Sequence, residues 1–297
     1  MIGELAALSA AICWALSAML YKGALLKAKP FSVNILRCVC AGAVLVAFVL
    51  ATGKLGVLMN LPKHVFILAC VGGIISLGIG DTFYLISLGL IGVARSVPIS
   101  CVYPLFNLLL AVLFMGEHVT LLIVFGAVVI VLGIWLISQE KEGNATERQK
   151  EILFKGVACA LASAMMWSIG ITMTNMAIKE TPNFDYALAI NTLRVIAVVV
   201  FLLFSAPIAD RGFSFLKIRK EVFIELIAGG IMALVLGWFL FIFSLMNTLE
   251  SRAVPLSSTG ALFSTLAGIV FFHEKVTVKS AFGSMIIVIG IFLIFMV

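Results

Sequence analysis

The segment SLGLIGVARSVPISCVYPLFNLLLAVLFMGEHVTLLIVFGAVVIVLGIWLI, residues 87–137, is answered 157 positions later by SLMNTLESRAVPLSSTGALFSTLAGIVFFHEKVTVKSAFGSMIIVIGIFLI, residues 244–294. Aligned without a gap, the two agree at 21 of 51 positions, more than two unrelated apolar segments would share. The agreement falls on residues with marked chemistry: Arg95 with Arg252, Pro98 with Pro255, Glu117 with Glu274, Gly126 with Gly283 and Gly133 with Gly290. Working outward, the same shift pairs Asn34 with Asn191, Arg37 with Arg194, and Gly72-Gly73-Ile74 with Gly229-Gly230-Ile231. Trp14 pairs with Trp167 and Gly3 with Gly156 at a shift of 153, so the second copy carries four extra residues before its second helix. One structural unit is therefore used twice in this chain.

Composition fixes the solvent of that unit. Of 297 residues, 63% are apolar and 11% charged, and the mean hydropathy is +1.23. A soluble globular domain carries about 25% charged residues, so that class is excluded. The +6 balance is dispersed through short loops, which excludes a disordered tail or a nucleic-acid binder. A spanning helix takes ~20 apolar residues. Apolar runs fall at 4–22, 32–52, 65–88, 95–115, 119–138, 153–178, 186–206, 222–246, 252–272 and 277–296, which predicts ten spans. The one markedly polar stretch, Gln139–Glu151, splits them five and five. The expected fold is an all-α membrane protein of ten transmembrane helices: a first five-helix repeat over 1–138, a polar linker over 139–152 and a second repeat over 153–297.

Five is odd, so the second repeat must enter the membrane from the opposite side. Inverted repeats of this kind let a site at the midplane open alternately to either side. The first apolar run lacks a basic leader and a small-residue cleavage site, and is expected to be retained as a helix. Six cysteines lie singly or as C-x-C inside apolar runs, reading as small core residues without disulfides or a metal site. Loops after the odd-numbered spans hold 14 Lys and Arg against 4 in the opposite loops, which places both termini outside the cytoplasm of a cell membrane.

Each half reads as a mid-helix Trp, a Leu-Arg early in its second helix, a fourth helix ending in Glu-x-Val-Thr, then glycines at heptad spacing. The fragments are CWALSAMLYK, NILRCVCA, SVPISCVYPLFNLLLAVLFMGEHVT and FGAVVIVLGIWLI, answered by MWSIGITMTN, NTLRVIAV, AVPLSSTGALFSTLAGIVFFHEKVT and FGSMIIVIGIFLI. In order, spacing and duplication this resembles the EamA family of the drug/metabolite transporter superfamily along essentially the whole chain. The resemblance implies a central cavity lined mainly by helices 3, 4, 8 and 9, with helices 5 and 10 available for homodimer contacts. It also implies transport of small metabolites or drugs, commonly export. Relatives usually have cytoplasmic termini, opposite to the charge count. Lys22 is answered by Asn175 and Tyr103-Pro104 by Gly260-Ala261, so the two halves of the cavity should differ chemically.

Asp81 is the one acidic residue deep in a predicted span, with Tyr84 on the same face. An ionisable group there costs at least ~2.5 kcal/mol on insertion scales. It reads either as a cation-binding or proton-coupling site, or as a carboxylate permanently paired with Lys22 or Arg37. Trp238 and Phe241 stand at the symmetry positions of Asp81 and Tyr84. Ser100, Tyr103 and Asn107 form one stripe, and Ser257, Gly260 and Ser264 another, lining a pore or holding helices together. Such a pocket would suit an amphipathic solute with an amino group or a ring. Arg37 and Arg194 read as snorkelling to lipid phosphate or as closing opposite gates. Trp14 and Trp167 read as cavity lining or as core. Glu117 and Glu274 read as caps for the following helices, or as gate ion pairs.

No GxxxxGK[ST] phosphate loop is present, and neither nucleotide nor cofactor is expected. The expectation is a secondary transporter of a small organic solute in the lipid bilayer, with no nucleic-acid partner. An intramembrane enzyme on a lipid-linked substrate would need clustered catalytic groups, whereas His64, His118 and His273 are scattered at helix ends. A non-transporting scaffold or sensor is the third reading.

Overall fold

The computed structural model describes residues 1–115, 120–138, 146–180, 183–210, 213–248, 250–272 and 278–295. Besides a short helix at Leu55–Met59 and a helical turn at Ser214–Lys217, these form ten longer helical rods: α1 (Ile2–Leu25), α2 (Pro30–Ala51), α3 (Lys63–Ile91), α4 (Val93–Ser100 continued by Tyr103–Met115), α5 (Leu121–Ser138), α6 (Glu147–Glu180), α7 (Phe184–Ala209), α8 (Lys220–Asn247), α9 (Glu250–Ser258 continued by Gly260–Phe272) and α10 (Val278–Phe295). Among the described residues, seven stretches are long and apolar enough to cross a membrane, and α5 and α10 hold shorter apolar helices. The rods follow the ten apolar runs. The largest shift is at α6, which begins at Glu147 because the polar residues before 153 have good helix propensity and wind into its first turns. Glu117 and Glu274 lie outside the described residues.

The burial pattern is inverted relative to a soluble protein. Phe48, Phe125, Trp135, Phe204 and Phe282 are exposed, while Ser76, Ser96, Ser163, Ser168 and Ser284 are buried. Hydrocarbon outside leaves polar side chains no partner except another helix, so they turn inward.

Where a rod meets its own symmetry mate, the two run antiparallel. The end of α2 reaches the start of α7 through the Lys54–Asp185 ion pair, and the start of α2 reaches the end of α7 where Ser32 Oγ donates to Asp210 Oδ2 at 2.9 Å. In α5 and α10, a Cβ built on Gly133 would stand 2.8 Å from the Gly283 carbonyl oxygen, and one on Gly290 would stand 2.9 Å from that of Gly126. Antiparallel self-pairs require a two-fold axis in the membrane plane, which is the inverted arrangement. The glycines seven apart therefore serve packing within the chain. A dimer through α5 and α10 would have to use their outward faces.

The repeats interleave. α1 packs on α8 and α9, and α6 packs symmetrically on α3 and α4. α3 and α8 each contain a π-helical stretch at equivalent places, Ile74–Gly80 and Ile231–Gly237. A π turn widens the helix and loosens its own carbonyl pairing, and a neighbouring asparagine takes up the slack. Asn34 Nδ2 donates to the Leu77 and Gly78 carbonyls at 3.1 Å, and Asn191 Nδ2 to that of Leu234 at 3.0 Å. Only glycine fits at the entrance to each stretch. A Cβ on Gly73 would stand 2.8 Å from the Arg194 carbonyl oxygen, and one on Gly230 would stand 2.7 Å from that of Arg37. Backbone contact thus carries each arginine to the π stretch of the other repeat.

Candidate functional site

Asp81 opens the α-helical part of α3 after its π stretch, ten residues before Ile91. At 1.5 Å per residue that is about 15 Å from the helix end, halfway through a hydrocarbon core of ~30 Å. Only 4% of the residue is exposed. Its Oδ2 is paired with Nη2 of Arg37, and its Oδ1 accepts from Trp167 Nε1 at 2.7 Å. Arg37 is completed by its Nε donating to Asn34 Oδ1 at 2.9 Å and by the Tyr21 ring, 4.8 Å below the guanidinium.

Of the alternatives for Asp81 and Arg37, the structure contains the ion pair between them: the Arg37 side chain turns inward, not to the lipid phosphates, because α2 is held against the π stretch and the carboxylate is within reach. Lys22 does not pair with Asp81. Its Nζ donates to the Leu88 and Gly89 carbonyls at 3.0 and 3.3 Å, at the end of α3.

Beside the Arg37–Asp81 pair lies a cavity with 80 Å³ open to the centres of water-sized molecules. Trp14, Ser17 and Tyr21 of α1 and Arg37 of α2 line one side. Asp81 and Tyr84 of α3 face Trp167 of α6, with the Tyr84 and Trp167 rings 5.1 Å apart. Tyr103 of α4 and Ser257 of α9 meet across it through a hydroxyl–hydroxyl hydrogen bond of 2.5 Å. Trp238 of α8 closes the far wall, 5.6 Å from Trp14. Helices 1, 2 and 6 thus contribute alongside 3, 4, 8 and 9, since interleaving brings Trp14 and Trp167 to the centre.

The remaining expected residues lie elsewhere. Phe241 is fully buried behind Trp14 and Trp238. Ser100 accepts from Ser163 Oγ at 3.1 Å, and Asn107 Oδ1 accepts from Ser168, both joining α4 to α6. Ser264 bonds the Ala261 carbonyl of its own helix at 2.9 Å. Arg194 is fully buried, stacked 3.9 Å from the Trp238 ring and behind the cavity wall. Of the lining residues that sequence reasoning passed over, Ser17 and Tyr21 had a signal: with Trp14 they repeat the i, i+3, i+7 stripe recognised on α4. Cys101 and Ile171 had none.

Among the described residues, no three His, Cys, Asp or Glu side chains come together to hold a metal. What the centre offers is a carboxylate whose oxygens are both engaged, a charge-neutral ion pair, indole and phenol rings and two hydroxyls. It can enclose a ring and hydrogen-bond a polar group; it presents no activated nucleophile.

The EamA-like transporter family matches the chain twice, over residues 1–139 and 154–296. A protein of Archaeoglobus fulgidus named as an uncharacterized transporter is 24% identical over 294 residues, covering 99% of this chain and 98% of that one. The uncharacterized transporter YvbV of Bacillus subtilis is 27% identical over 183 residues, 61% of this chain and 56% of its own length. A crystal structure at 19% identity superposes with a TM-score of 0.68 over 98% of this chain and 94% of that one, a likeness of fold.

Proposed function

The chain belongs to the EamA-like transporter family, and from that membership we propose that it carries a small organic solute across a cell membrane by alternating access, in the direction of export and without nucleotide. The observation that carries this reading is the aromatic-walled cavity at mid-depth between the inverted repeats. Drug-sized ligands occupy about 300–1,000 Å³. The cavity is smaller, so it corresponds to a shut state, and the repeats must part to admit cargo. The pseudo-two-fold axis supplies the motion: an arrangement in which the repeats exchange roles has nearly equal packing energy.

Counterflow in proteoliposomes tests the reading. Solute loaded inside should accelerate entry of labelled solute, and a chain that binds but never exchanges is a sensor, not a carrier. Asp81 is the candidate for proton coupling, since releasing it from Arg37 would change the charge of the cavity. If Asp81→Asn leaves both the exchange rate and its response to a proton gradient unchanged, coupling through this residue is wrong. Loop charge supports termini outside the cytoplasm; labelling a cysteine introduced between Gln139 and Glu151 from one side of intact cells tests that.

A further inference from the structure

Arg194 stands where Arg37 stands in the other repeat, yet its surroundings differ in one respect. Arg37 has Asn34 on its Nε and Asp81 on its Nη2. Arg194, with no exposed surface, has neither: Nε and Nη1 lack any acceptor, and Nη2 reaches only Ser76 Oγ, at 3.3 Å. The equivalent asparagine, Asn191, also has its Oδ1 unpaired. The carboxylate is missing because position 238, the counterpart of Asp81, is Trp. Its ring covers the guanidinium at 3.9 Å on one side and forms cavity wall on the other. Among the described residues, the charged groups buried within the spans are Arg37, Asp81 and Arg194, two cations to one anion. Asp81 acts on Arg194 only through space and is already bonded to Arg37; a buried guanidinium without a bonded counter-charge of its own is held at a cost of several kcal/mol, and an anion from outside the chain would relieve it.

We propose that Arg194 receives the anionic group of the transported solute, an organic carboxylate with an apolar or aromatic body, in the place that Asp81 occupies in the first repeat. This rests on the transport reading above and names its substrate class. When Asn191 Oδ1 accepts from Arg194 Nε, as Asn34 does from Arg37, the two Nη atoms, of which Nη2 has only Ser76 Oγ at 3.3 Å, form an edge suited to bidentate pairing with a carboxylate. One ring separates that edge from the cavity, so a swing of Trp238 joins the two. The π stretch Ile231–Gly237 immediately before Trp238 gives it a backbone able to shift. The solute's ring then meets Trp14 and Trp238. An amine is the wrong cargo: both Asp81 oxygens are engaged, and the buried charge repels it.

The test uses purified full-length protein in nanodiscs, with benzoate and phenylacetate each compared with its neutral amide and with phenethylamine. Binding is read by tryptophan fluorescence and by thermal shift. The carboxylates are expected to bind about tenfold or more tighter than amide or amine. That preference should vanish in Arg194→Gln, persist in part in Arg194→Lys, and vanish in Trp238→Asp, which supplies the missing carboxylate internally. Equal binding of acid and amide, or an undiminished preference in Arg194→Gln or Trp238→Asp, overturns the proposal. Counterflow of the same compounds separates the two readings. Carboxylates that bind at Arg194 but do not exchange across liposomes refute transport and leave the anion site standing. Exchange of amine or amide with the carboxylates inert refutes the anion site and leaves transport standing.

Discussion

Removing either member of the Arg37–Asp81 pair strands the other in the interior, whereas removing both does not. In Arg37→Leu, Asp81 keeps the Trp167 indole hydrogen bond at 2.7 Å but loses its counter-charge, and at 4% exposure it has little access to water. Breaking a buried pair from one side costs about 3–5 kcal/mol. At about 1.4 kcal/mol per tenfold, the folded-to-unfolded ratio falls at least a hundredfold. Asp81→Leu strands Arg37 in turn. That guanidinium keeps Asn34 Oδ1 at 2.9 Å and the Tyr21 ring at 4.8 Å, a cation–π contact of about 0.5–2 kcal/mol, so its loss sits at the lower end. The double variant exchanges the pair for apolar side chains, a change that is often neutral or stabilising. With each single loss at about 3 kcal/mol or more and the double near zero, the coupling energy is expected at about 6 kcal/mol or more, beyond the roughly 0.5–3 kcal/mol usual for residues in contact. Equilibrium unfolding in mixed micelles by SDS titration, followed by tryptophan fluorescence, measures all four corners. A double variant whose loss equals the sum of the two singles would refute the pairing as the interaction that joins α2 to α3.

Other outcomes follow from the same geometry. Arg194→Met removes a guanidinium with two unpaired nitrogens and gives up the Trp238 stacking, so its unfolding midpoint should equal or exceed that of wild type; a fall as large as that of Arg37→Leu would reveal a partner. Gly133→Ala places a Cβ 2.6 Å from Ile287 Cγ1 and 2.8 Å from a backbone oxygen of α10, an overpacking expected to cost about 1–3 kcal/mol, whereas Gly89→Ala meets nothing within 4 Å and should be neutral or stabilising by thermal unfolding. Burial raises the Asp210 carboxyl, but hydrogen bonds from Ser214, Ser32 and the Phe215 N–H, together with the Lys29 charge, outweigh it and hold the group below its ordinary value. The stabilisation is then present above the unfolded carboxyl's pKa of about 3.9 and lost as pH falls through the lower folded value. Asp210→Ala should destabilise at pH 7, with the difference from wild type vanishing toward acid in unfolding curves taken across that range.

The ten spans, their duplication and their inversion were legible in the sequence. Lipid demands long apolar helices, and the five-plus-five count leaves the second repeat one direction of entry. The mid-span placement of Asp81, Trp14, Trp167 and Trp238 was legible too, since each is a costly or bulky group at a depth hydropathy reveals. Which atoms meet there was not. For Arg37 the sequence left an interfacial place, a gate and a pairing with Asp81 all open, because distance from a helix end says nothing about where the side chain turns; Gly230 against its backbone and the π stretch of α3 decide that. Ser100 and Tyr103 share one stripe, yet only Tyr103 reaches the cavity, because α6 covers the other. Most of all, Arg37 and Arg194 are alike in their local sequence, Asn-x-Leu-Arg. One is paired and the other is not, because their partners come from helices some 40 residues away, and only the folded chain brings Asp81 to one and Trp238 to the other.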